Sequence, residues 1–392
     1  MARIYKKNNS YYFSFEAGRD ERTGKRQRIV RGGFRTKKEA QQASAELEVK
    51  FNTGKVIAKP SDITLHEFMW EHWLPYHGYQ VKPSSIHAIK VHLRRIDKYF
   101  NNIKLKDITT LQCNRFALHM LEQMQLSRNV VSSTIAYLKI IFKYAIYVEN
   151  ILINNPVDYV VIPKYYNQQK ENALRQKKKP LYLEKETLKK FLTEAKKDFK
   201  NFPFYMATVL MTYTGMRIGE VLALQWDDID LKNKVIHVKN GYFYLSNNQF
   251  IIQTPKTKTS MRDITIHDLL IKEITAYRKQ FIAFKMRSFS WFECDYDFVL
   301  TSVRFPGRPF LEQSLKSWMH TIGKRIDIDY IHPHIFRHTH VSLLAEIGVP
   351  LEVIQERLGH ANDTTTRQIY LHITKNTKNE AAVRFDKLMS KI

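Results

Sequence analysis

The chain is poor in cysteine and in long apolar runs. Its 392 residues include only two cysteines, Cys113 and Cys294, which stand far apart. So few thiols argue against a disulfide framework and a cysteine-based zinc site, and we expect both to be buried as small hydrophobic groups in a reducing compartment. No apolar run approaches the roughly 20 residues of a membrane-spanning helix, and the first residues lack a signal peptide's apolar stretch. We therefore expect a cytoplasmic protein without a membrane partner.

Acidic residues are scarce relative to basic ones. The chain has 63 Lys and Arg against 38 Asp and Glu, a formal net charge of +25. Such an excess attracts a polyanion, of which nucleic acid is the first choice and an anionic membrane surface the competitor. The sequence also lacks a G-x-x-x-x-G-K-[ST] phosphate loop, an H-E-x-x-H motif and a G-x-S-x-G elbow. We expect neither a cofactor nor a metal.

The amino-terminal part of the chain carries much of the charge. Its first 60 residues contain 15 Lys and Arg against 6 Asp and Glu. Tyr11, Phe13 and Phe15 recur at every second position, and a further run, Lys25–Arg31, follows a turn, which predicts a β-hairpin. Aromatic and basic side chains interleaved on a short sheet suit insertion into a DNA groove. A solvated charged face is the alternative interpretation.

Helical patterns follow the hairpin. Thr36 with Glu39 three residues later predicts a capping box that opens a helix reaching about Phe51. Between residues 63 and 150, apolar residues recur every three or four positions, which predicts a bundle of about four helices. The polar, basic stretch at 163–180 is typical of a linker.

The remainder of the chain combines helical periodicity with candidate catalytic residues. Four short runs predict strands: Val235–Val238, Tyr242–Leu245, Phe250–Gln253 and Arg262–Ile266. Arg217 stands at a glycine-punctuated entry to an amphipathic helix, and His334 and Arg337 are one helical turn apart. An L-G-H tripeptide ending at His360 comes next, and then Tyr370.

In this order and spacing, the residues resemble the tyrosine recombinase (phage integrase) family. That family's catalytic domain is marked by an R-x-G-E helix, a lysine on a β-hairpin, H-x-x-R, L-G-H and a tyrosine, and the resemblance covers roughly residues 179–387. It implies six catalytic residues: Arg217, Lys258, His334, Arg337, His360 and Tyr370. The two arginines would hold the scissile phosphate, the two histidines would assist, and Tyr370 would attack.

Two positions near this set leave a choice open. Lys258 best matches the family's hairpin lysine, although Ser260 stands where glycine is more usual and Lys256 is the alternative. Glu220 lies three residues after Arg217, close enough for an ion pair that would orient the guanidinium. A surface salt bridge worth little is the alternative for Glu220.

The residue types suit phosphodiester cleavage. Attack by an oxygen places extra negative charge on the nonbridging oxygens of the phosphate, which guanidinium forks stabilise. Tyr370 is protonated at neutral pH, so a base such as His334 would have to take its proton, and Lys258 would protonate the departing 5′ oxygen. The resulting 3′-phosphotyrosine keeps the energy of the broken bond, so ATP and metal are not required.

Other interpretations are open to the same residues. His332, His334, His338 and His340 could be taken for metal ligands, but the neighbouring Arg337 suits an anion better than a cation. We expect His338 and His340 to pack or to form hydrogen bonds. A catalytically silent DNA-binding accessory protein and a type IB topoisomerase-like enzyme are the alternatives to a recombinase.

The predicted fold is multidomain and mainly α with small β-sheets. An arm-type DNA-binding domain of a three-stranded sheet plus helix is expected at 1–58, a helical core-binding bundle at 61–160, a linker at 161–179 and a mixed α+β catalytic domain at 180–392. The resemblance implies a homotetramer on double-stranded DNA with core and arm sites, an excisionase and a host DNA-bending protein as candidate partners, and a bacterial cytoplasmic or nucleoid location. The segment 376–392 would dock on a neighbouring protomer or pack in cis.

Overall fold

The computed structural model describes residues 3–7, 10–19, 26–52, 62–163, 181–246, 249–254, 260–359, 364–373 and 389–390. The chain divides into two compact units, Met1–Lys170 and Glu171–Ile392. The first unit contains both the small sheet and the helical bundle, so their separation into domains at 1–58 and 61–160 stays a prediction. Most of the predicted linker lies outside the described residues.

A three-stranded antiparallel sheet and one helix open the first unit. They are β1 (Arg3–Lys7), β2 (Ser10–Arg19), β3 (Arg26–Phe34) and α1 (Lys37–Asn52), with β2 in the centre. Because side chains alternate along a strand, Phe13 and Phe15 point to one face and are buried there. They pack with Ile4, Phe34 and Ala43, so α1 covers this face of the sheet. The predicted sheet-plus-helix is confirmed.

The start of α1 differs slightly from the predicted capping box. The hydroxyl of Thr36 accepts a hydrogen bond from the backbone N–H of Glu39 at 3.2 Å, as expected. The Glu39 carboxylate instead accepts from the backbone N–H of Arg35 at 3.0 Å, one residue earlier than in a capping box. The helix start was therefore correctly placed, while the reciprocal bond moved by one position.

Helices fill the rest of the first unit. They are α2 (Leu65–Glu67), which continues through a π-helical turn (Phe68–Trp73) into α3 (Leu74–Gly78), and then α4 (Pro83–Phe100), a 3₁₀ turn (Leu105–Asp107), α5 (Thr110–Glu122) and α6 (Arg128–Tyr147). Within the described residues, α6 alone is long and apolar enough to cross a membrane by length and composition. Its buried side chains, which include Leu138 and Phe142, instead join the core of the bundle.

The second unit is mainly helical with two small antiparallel sheets. Its helices are α7 (Lys185–Lys197), α8 (Phe202–Thr214), α9 (Ile218–Ala223), α10 (Asp268–Arg287), α11 (Glu312–Arg325), α12 (Pro333–Glu346), α13 (Leu351–Leu358) and α14 (364–373), with 3₁₀ turns at Phe199–Asn201 and Trp226–Asp228. Its strands are β4 (Ile229–Asp230), β5 (Val235–Val238), β6 (Gly241–Ser246), β7 (Gln249–Gln253) and β8 (Arg262–Thr265). The four predicted strands are thus confirmed to within two residues.

Helix α8 is the centre of the second unit and positions the site. It is apolar around its whole circumference, and nine of its thirteen residues are buried. A helix of this kind is enclosed by other elements rather than laid on a surface. The strands form the sheets β4-β5-β8 and β6-β7. Since α8 ends at Gly215, the next residues leave the core at a fixed point.

The two cysteines have different surroundings. Cys113 is fully buried on α5, and burial raises the pKa of its thiol to about 12. Cys294 is exposed, so the expectation that both cysteines are buried is wrong for this residue. It lies in an irregular stretch whose neighbours Asp295 and Asp297 are also exposed, and its thiol donates to the carbonyl of Tyr296 at 3.4 Å. The distance of a cysteine from other cysteines along the sequence does not predict whether its side chain is exposed.

Candidate active site

A left-handed glycine connects the end of α8 to Arg217. Gly215 has φ of +68°, and a Cβ built on it would lie 2.6 Å from a methyl carbon of Leu358 and 2.7 Å from the ring of His340. Glycine is therefore required here both for its backbone conformation and for close packing. Arg217 follows as the N-cap residue of α9. The end of α8, the helix α12 that carries His340 and the helix α13 that carries Leu358 therefore meet at Gly215, just before Arg217.

Arg337, in the protein interior, forms hydrogen bonds to the ends of α8 and α13. It lies on α12 and is only 4% exposed. Its Nη1 donates to the carbonyl of Gly215, and its Nη2 donates to the carbonyl of Leu358 at 2.9 Å. One guanidinium therefore fixes the entry to Arg217 and the end of α13, whose last residue, Leu358, begins the L-G-H tripeptide.

Arg217 is held by a buried carboxylate. Its Nη1 donates to Oε1 of Glu220 at 2.6 Å, and its backbone N–H donates to Oε2 at 2.9 Å. Burial opposes the charged form of Glu220, but hydrogen bonding and charge from Arg262, followed by Arg217, outweigh it and lower the pKa of the carboxyl. Glu220 is therefore ionised at neutral pH. The predicted ion pair is present, and its carboxylate is buried, unlike that of a surface salt bridge.

His334 is one helical turn before Arg337 on α12, and its ring is affected by the charge of both arginines. It is at the exposed end of α12, yet neighbouring protein desolvates its ring, which lowers the pKa of His334. The positive charges of Arg337, and then of Lys316 and Arg217, lower it further, while the carboxylate of Glu312 opposes them. The imidazole is thus neutral at pH 7 and able to accept a proton. The hydrogen bond from Arg337 to the carbonyl of Gly215, two residues before Arg217, and the single helical turn between His334 and Arg337 bring three of the six predicted residues together.

The other three predicted residues are placed less completely. Tyr370 lies on α14, is half-buried, and packs against an apolar cluster that includes Val341 and Leu358. Lys258 and His360, together with the alternative Lys256, lie outside the described residues. Their part in the site stays a prediction.

His340 is a hydrogen-bonding residue of the core, as the sequence predicted. Its Nδ1 lies 2.9 Å from the carbonyl oxygen of Thr212, and because a carbonyl only accepts, Nδ1 carries the ring proton. Its Nε2 then accepts from Nε of Arg357 at 3.2 Å. Burial first, and then the charge of Arg357, lower the pKa of His340 to about 3. With both nitrogens engaged by protein groups, His340 is unsuited to bind a metal.

The depressed pKa of His340 makes the stability of the second unit depend on pH. Unfolded His340 takes up a proton near pH 6.5, whereas the folded protein does so only near pH 3. The unfolded state therefore binds more protons in this window, and stability falls as pH drops from about 6.5 towards 3, by up to about 1.4 kcal/mol per unit. Thermal unfolding of the wild-type chain and His340→Gln between about pH 7.5 and pH 5 measures this contribution. A stability difference that does not change with pH would contradict it.

Arg262 and Arg357 hold elements around the candidate site, and sequence reasoning did not single them out. Arg262 is on the same side of β8 as Ile264, which is fully buried, so the strand alternation places a basic residue on an inward face. That position was a signal available in the sequence. Arg357 gave none, since its partners, His340 and the carbonyls of Tyr213 and Thr265, are distant along the chain.

Comparison with known proteins relates these features to characterised families. The profile of the phage integrase family matches residues 182–377, that of an arm DNA-binding domain matches 2–51, and that of a phage integrase N-terminal SAM-like domain matches 64–121. The chain is 30% identical over 387 residues to the ICEBs1 integrase of Bacillus subtilis (strain 168), covering 97% of this chain and 98% of that protein.

Two solved structures have a similar fold. One is a fragment of the Tn1549 transposon integrase in complex with transposon right-end DNA, with a TM-score of 0.64 and 22% identity over 82% of this chain and 99% of that one. The other is a lambda integrase tetramer bound to a Holliday junction, with a TM-score of 0.54 and 17% identity over 93% and 94% of the two chains. At these identities the likeness concerns the fold.

Proposed function

Because this chain belongs to the phage integrase family and is a tyrosine recombinase, we propose that it cuts and rejoins DNA at specific sites to integrate and excise a mobile element or prophage. The observation that carries the proposal is the convergence of Arg217, His334 and Arg337 at the end of α8. Two guanidinium groups and a neutral imidazole in one place suit a reaction in which a phosphate gains negative charge and a hydroxyl loses a proton.

Each predicted residue then has a chemical role. Oη of Tyr370 attacks the phosphorus, and His334 takes its proton as the new phosphorus–oxygen bond forms. Arg217 and Arg337 stabilise the charge on the nonbridging oxygens. Lys258 gives a proton to the 5′ oxygen as its bond to phosphorus breaks. The 3′-phosphotyrosine is resealed when a 5′ hydroxyl of another strand attacks it and Tyr370 regains its proton.

His360 is assigned an assisting role on the phosphate. It follows Gly359, whose neighbour Leu358 is held by Arg337 through its carbonyl. An attachment of this kind would keep the tripeptide beside the two arginines. The energy of the broken bond is retained in the phosphotyrosine, so the proposed reaction uses neither ATP nor metal.

The proposed substrate is double-stranded DNA with two kinds of site. We assign residues 1–58 to arm-type sites, residues 61–160 and 180–392 to core sites, and residues 161–179 to the linker between them. We further assign a homotetramer on DNA, an excisionase and a host DNA-bending protein as partners, and a bacterial cytoplasmic or nucleoid location. The proposed docking of segment 376–392 falls almost wholly outside the described residues.

The first test removes the proposed arm-binding domain. Deleting residues 1–60 leaves Asp62, which pairs with Lys104 and Lys106, and the capping box of Thr64, so the bundle keeps its amino-terminal contacts. We expect the shortened chain to lose binding to arm sites, because the basic sheet is gone, and still to form covalent adducts on nicked core-site DNA. Gel-shift titration of arm DNA and denaturing gels of core-site reactions measure the two effects.

Contrary results in these DNA-binding and cleavage assays can be distinguished from one another. Unchanged affinity for every DNA site would contradict the assignment of residues 1–58 and support a solvated charged face. Relaxation of supercoiled DNA without strand exchange between two sites would instead favour the topoisomerase-like alternative. Absence of any adduct with the full-length chain would favour the catalytically silent accessory protein.

A further inference from the structure

We propose that Arg262 is a positioning residue of the reaction, which sets the geometry of Arg217 through Glu220 and holds the segments next to Lys258 and His360 against it. The inference rests on the proposed function, since it assigns a part to a residue outside the six catalytic ones. Its basis is a set of contacts made by one buried guanidinium at the start of β8.

The guanidinium of Arg262 forms a two-pronged contact with a carboxylate. Its Nη2 donates to Oε2 of Glu220 at 2.9 Å, and its Nη1 donates to Oε1 at 3.3 Å. Both side chains are almost fully enclosed, at 6% and 7% exposed. A fork of this kind fixes orientation as well as distance, because two parallel donors meet two oxygens in one plane.

The same carboxylate is the one that holds Arg217. Each oxygen of Glu220 accepts one bond from Arg262 and one from Arg217, so the carboxylate lies between two guanidinium groups. Removing the Arg262 fork would take one of the two hydrogen bonds from each oxygen of a buried anion. Glu220 would then relax towards Arg217 or take up a proton, and either change moves the Arg217 guanidinium.

Arg262 also holds two backbone segments that adjoin the undescribed catalytic residues. Its Nε donates to the carbonyl of Arg357 at 2.7 Å, three residues before His360. Its Nη1 donates to the carbonyl of Ser260 at 3.0 Å, two residues after Lys258. One side chain thus binds three separate parts of the chain that the proposed reaction must bring together.

Lysine cannot reproduce this arrangement. Arginine presents its donors in a rigid plane, whereas an ammonium group is a compact point charge on a flexible stem. Arg262→Lys therefore keeps the charge but loses the fork on Glu220 and the simultaneous bonds to Ser260 and Arg357. This makes it a sharper test than alanine, which would also remove the buried charge and endanger folding.

The test compares wild type, Arg262→Lys and Glu220→Gln, with the double variant, in single-turnover cleavage of nicked core-site DNA. We expect Arg262→Lys to bind DNA within about twofold of wild type and to cleave about 10- to 100-fold more slowly, since small misplacements of a reacting group cost that much. If Arg262 acts through Glu220, the double variant is little slower than the slower single variant. The acid limb of the pH–rate profile also moves to higher pH, because Glu220 without the fork protonates more readily.

A matched control and the contrary outcomes complete the design. Arg325→Lys alters another arginine with a carboxylate partner, Glu194 at 3.6 Å, and is expected to leave cleavage unchanged. If the wild-type chain cleaves DNA and Arg262→Lys cleaves it at the same rate, the inference is overturned and the proposed function is left intact. The inference is also overturned if the slower cleavage of Arg262→Lys results only from thermal unfolding, so that the normal rate and pH profile return at low temperature. A wild-type chain that forms no adduct would instead overturn the proposed function.

Discussion

Tyr370→Phe is expected to abolish covalent protein–DNA adducts and to leave DNA affinity unchanged. The substitution removes only the hydroxyl oxygen that would bond to phosphorus. The ring remains, and with it the packing of this half-buried side chain on the apolar cluster around Val341 and Leu358. A suicide substrate, nicked so that the cleaved fragment diffuses away, traps the adduct for a denaturing gel, and a gel shift measures the dissociation constant.

Tyr182 provides a matched control for this experiment. It packs against the same cluster, and its hydroxyl lies 3.5 Å from Nδ1 of His372. Tyr182→Phe is therefore expected to keep forming adducts, because its hydroxyl is not the proposed nucleophile. Adducts that persist in Tyr370→Phe would contradict the assignment of the nucleophile, and loss of adducts in both variants would point to a general effect on the cluster.

Arg337→Lys is expected to reduce the cleavage rate by about 10²- to 10³-fold, the usual cost of losing one positioned donor to developing charge. It should also destabilise the fold by about 1–3 kcal/mol, because the enclosed carbonyls of Gly215 and Leu358 would lose donors. Lysine retains the positive charge, so DNA affinity should change little. The geometry of the guanidinium, rather than its charge, is what the substitution removes.

The two effects of Arg337→Lys are separable by measurement. Single-turnover cleavage at saturating DNA reports the chemical step, and thermal unfolding reports the stability. A cleavage rate within tenfold of wild type in a folded variant would contradict a role on the phosphate and leave Arg337 as a structural bridge between α8 and α13.

Local patterns were sufficient for the elements of this fold. The period-two alternation of Phe13 and Phe15 predicted β-strands, and spacings of three and four predicted the bundle. The order of the motifs predicted the family. These signals are local or sequential, so they do not depend on where distant segments meet. The exposure of Cys294 does depend on where distant segments meet, and the prediction that this cysteine is buried was wrong.

Two histidines on α12 show what the structure adds to the sequence. The resemblance assigned catalysis to His334, and we expected His340 to pack or to form hydrogen bonds, but residue spacing does not identify the partners of either ring. The structure places His334 one turn from Arg337 at the start of α12, while both nitrogens of His340 are bonded, to Thr212 and Arg357. The surroundings of the two rings thus differ because different elements pack around each end of the helix.

The sequence by itself determined which side chains are available for chemistry, their order, and the helices and strands that carry them. The tertiary structure alone decided how they are held. Arg337 bonds to a carbonyl 122 residues away, and Arg262 shares Glu220 with Arg217 across 42 residues. Such contacts depend on the packing of whole elements around α8, whereas periodicity and motif spacing report only on neighbours along the chain.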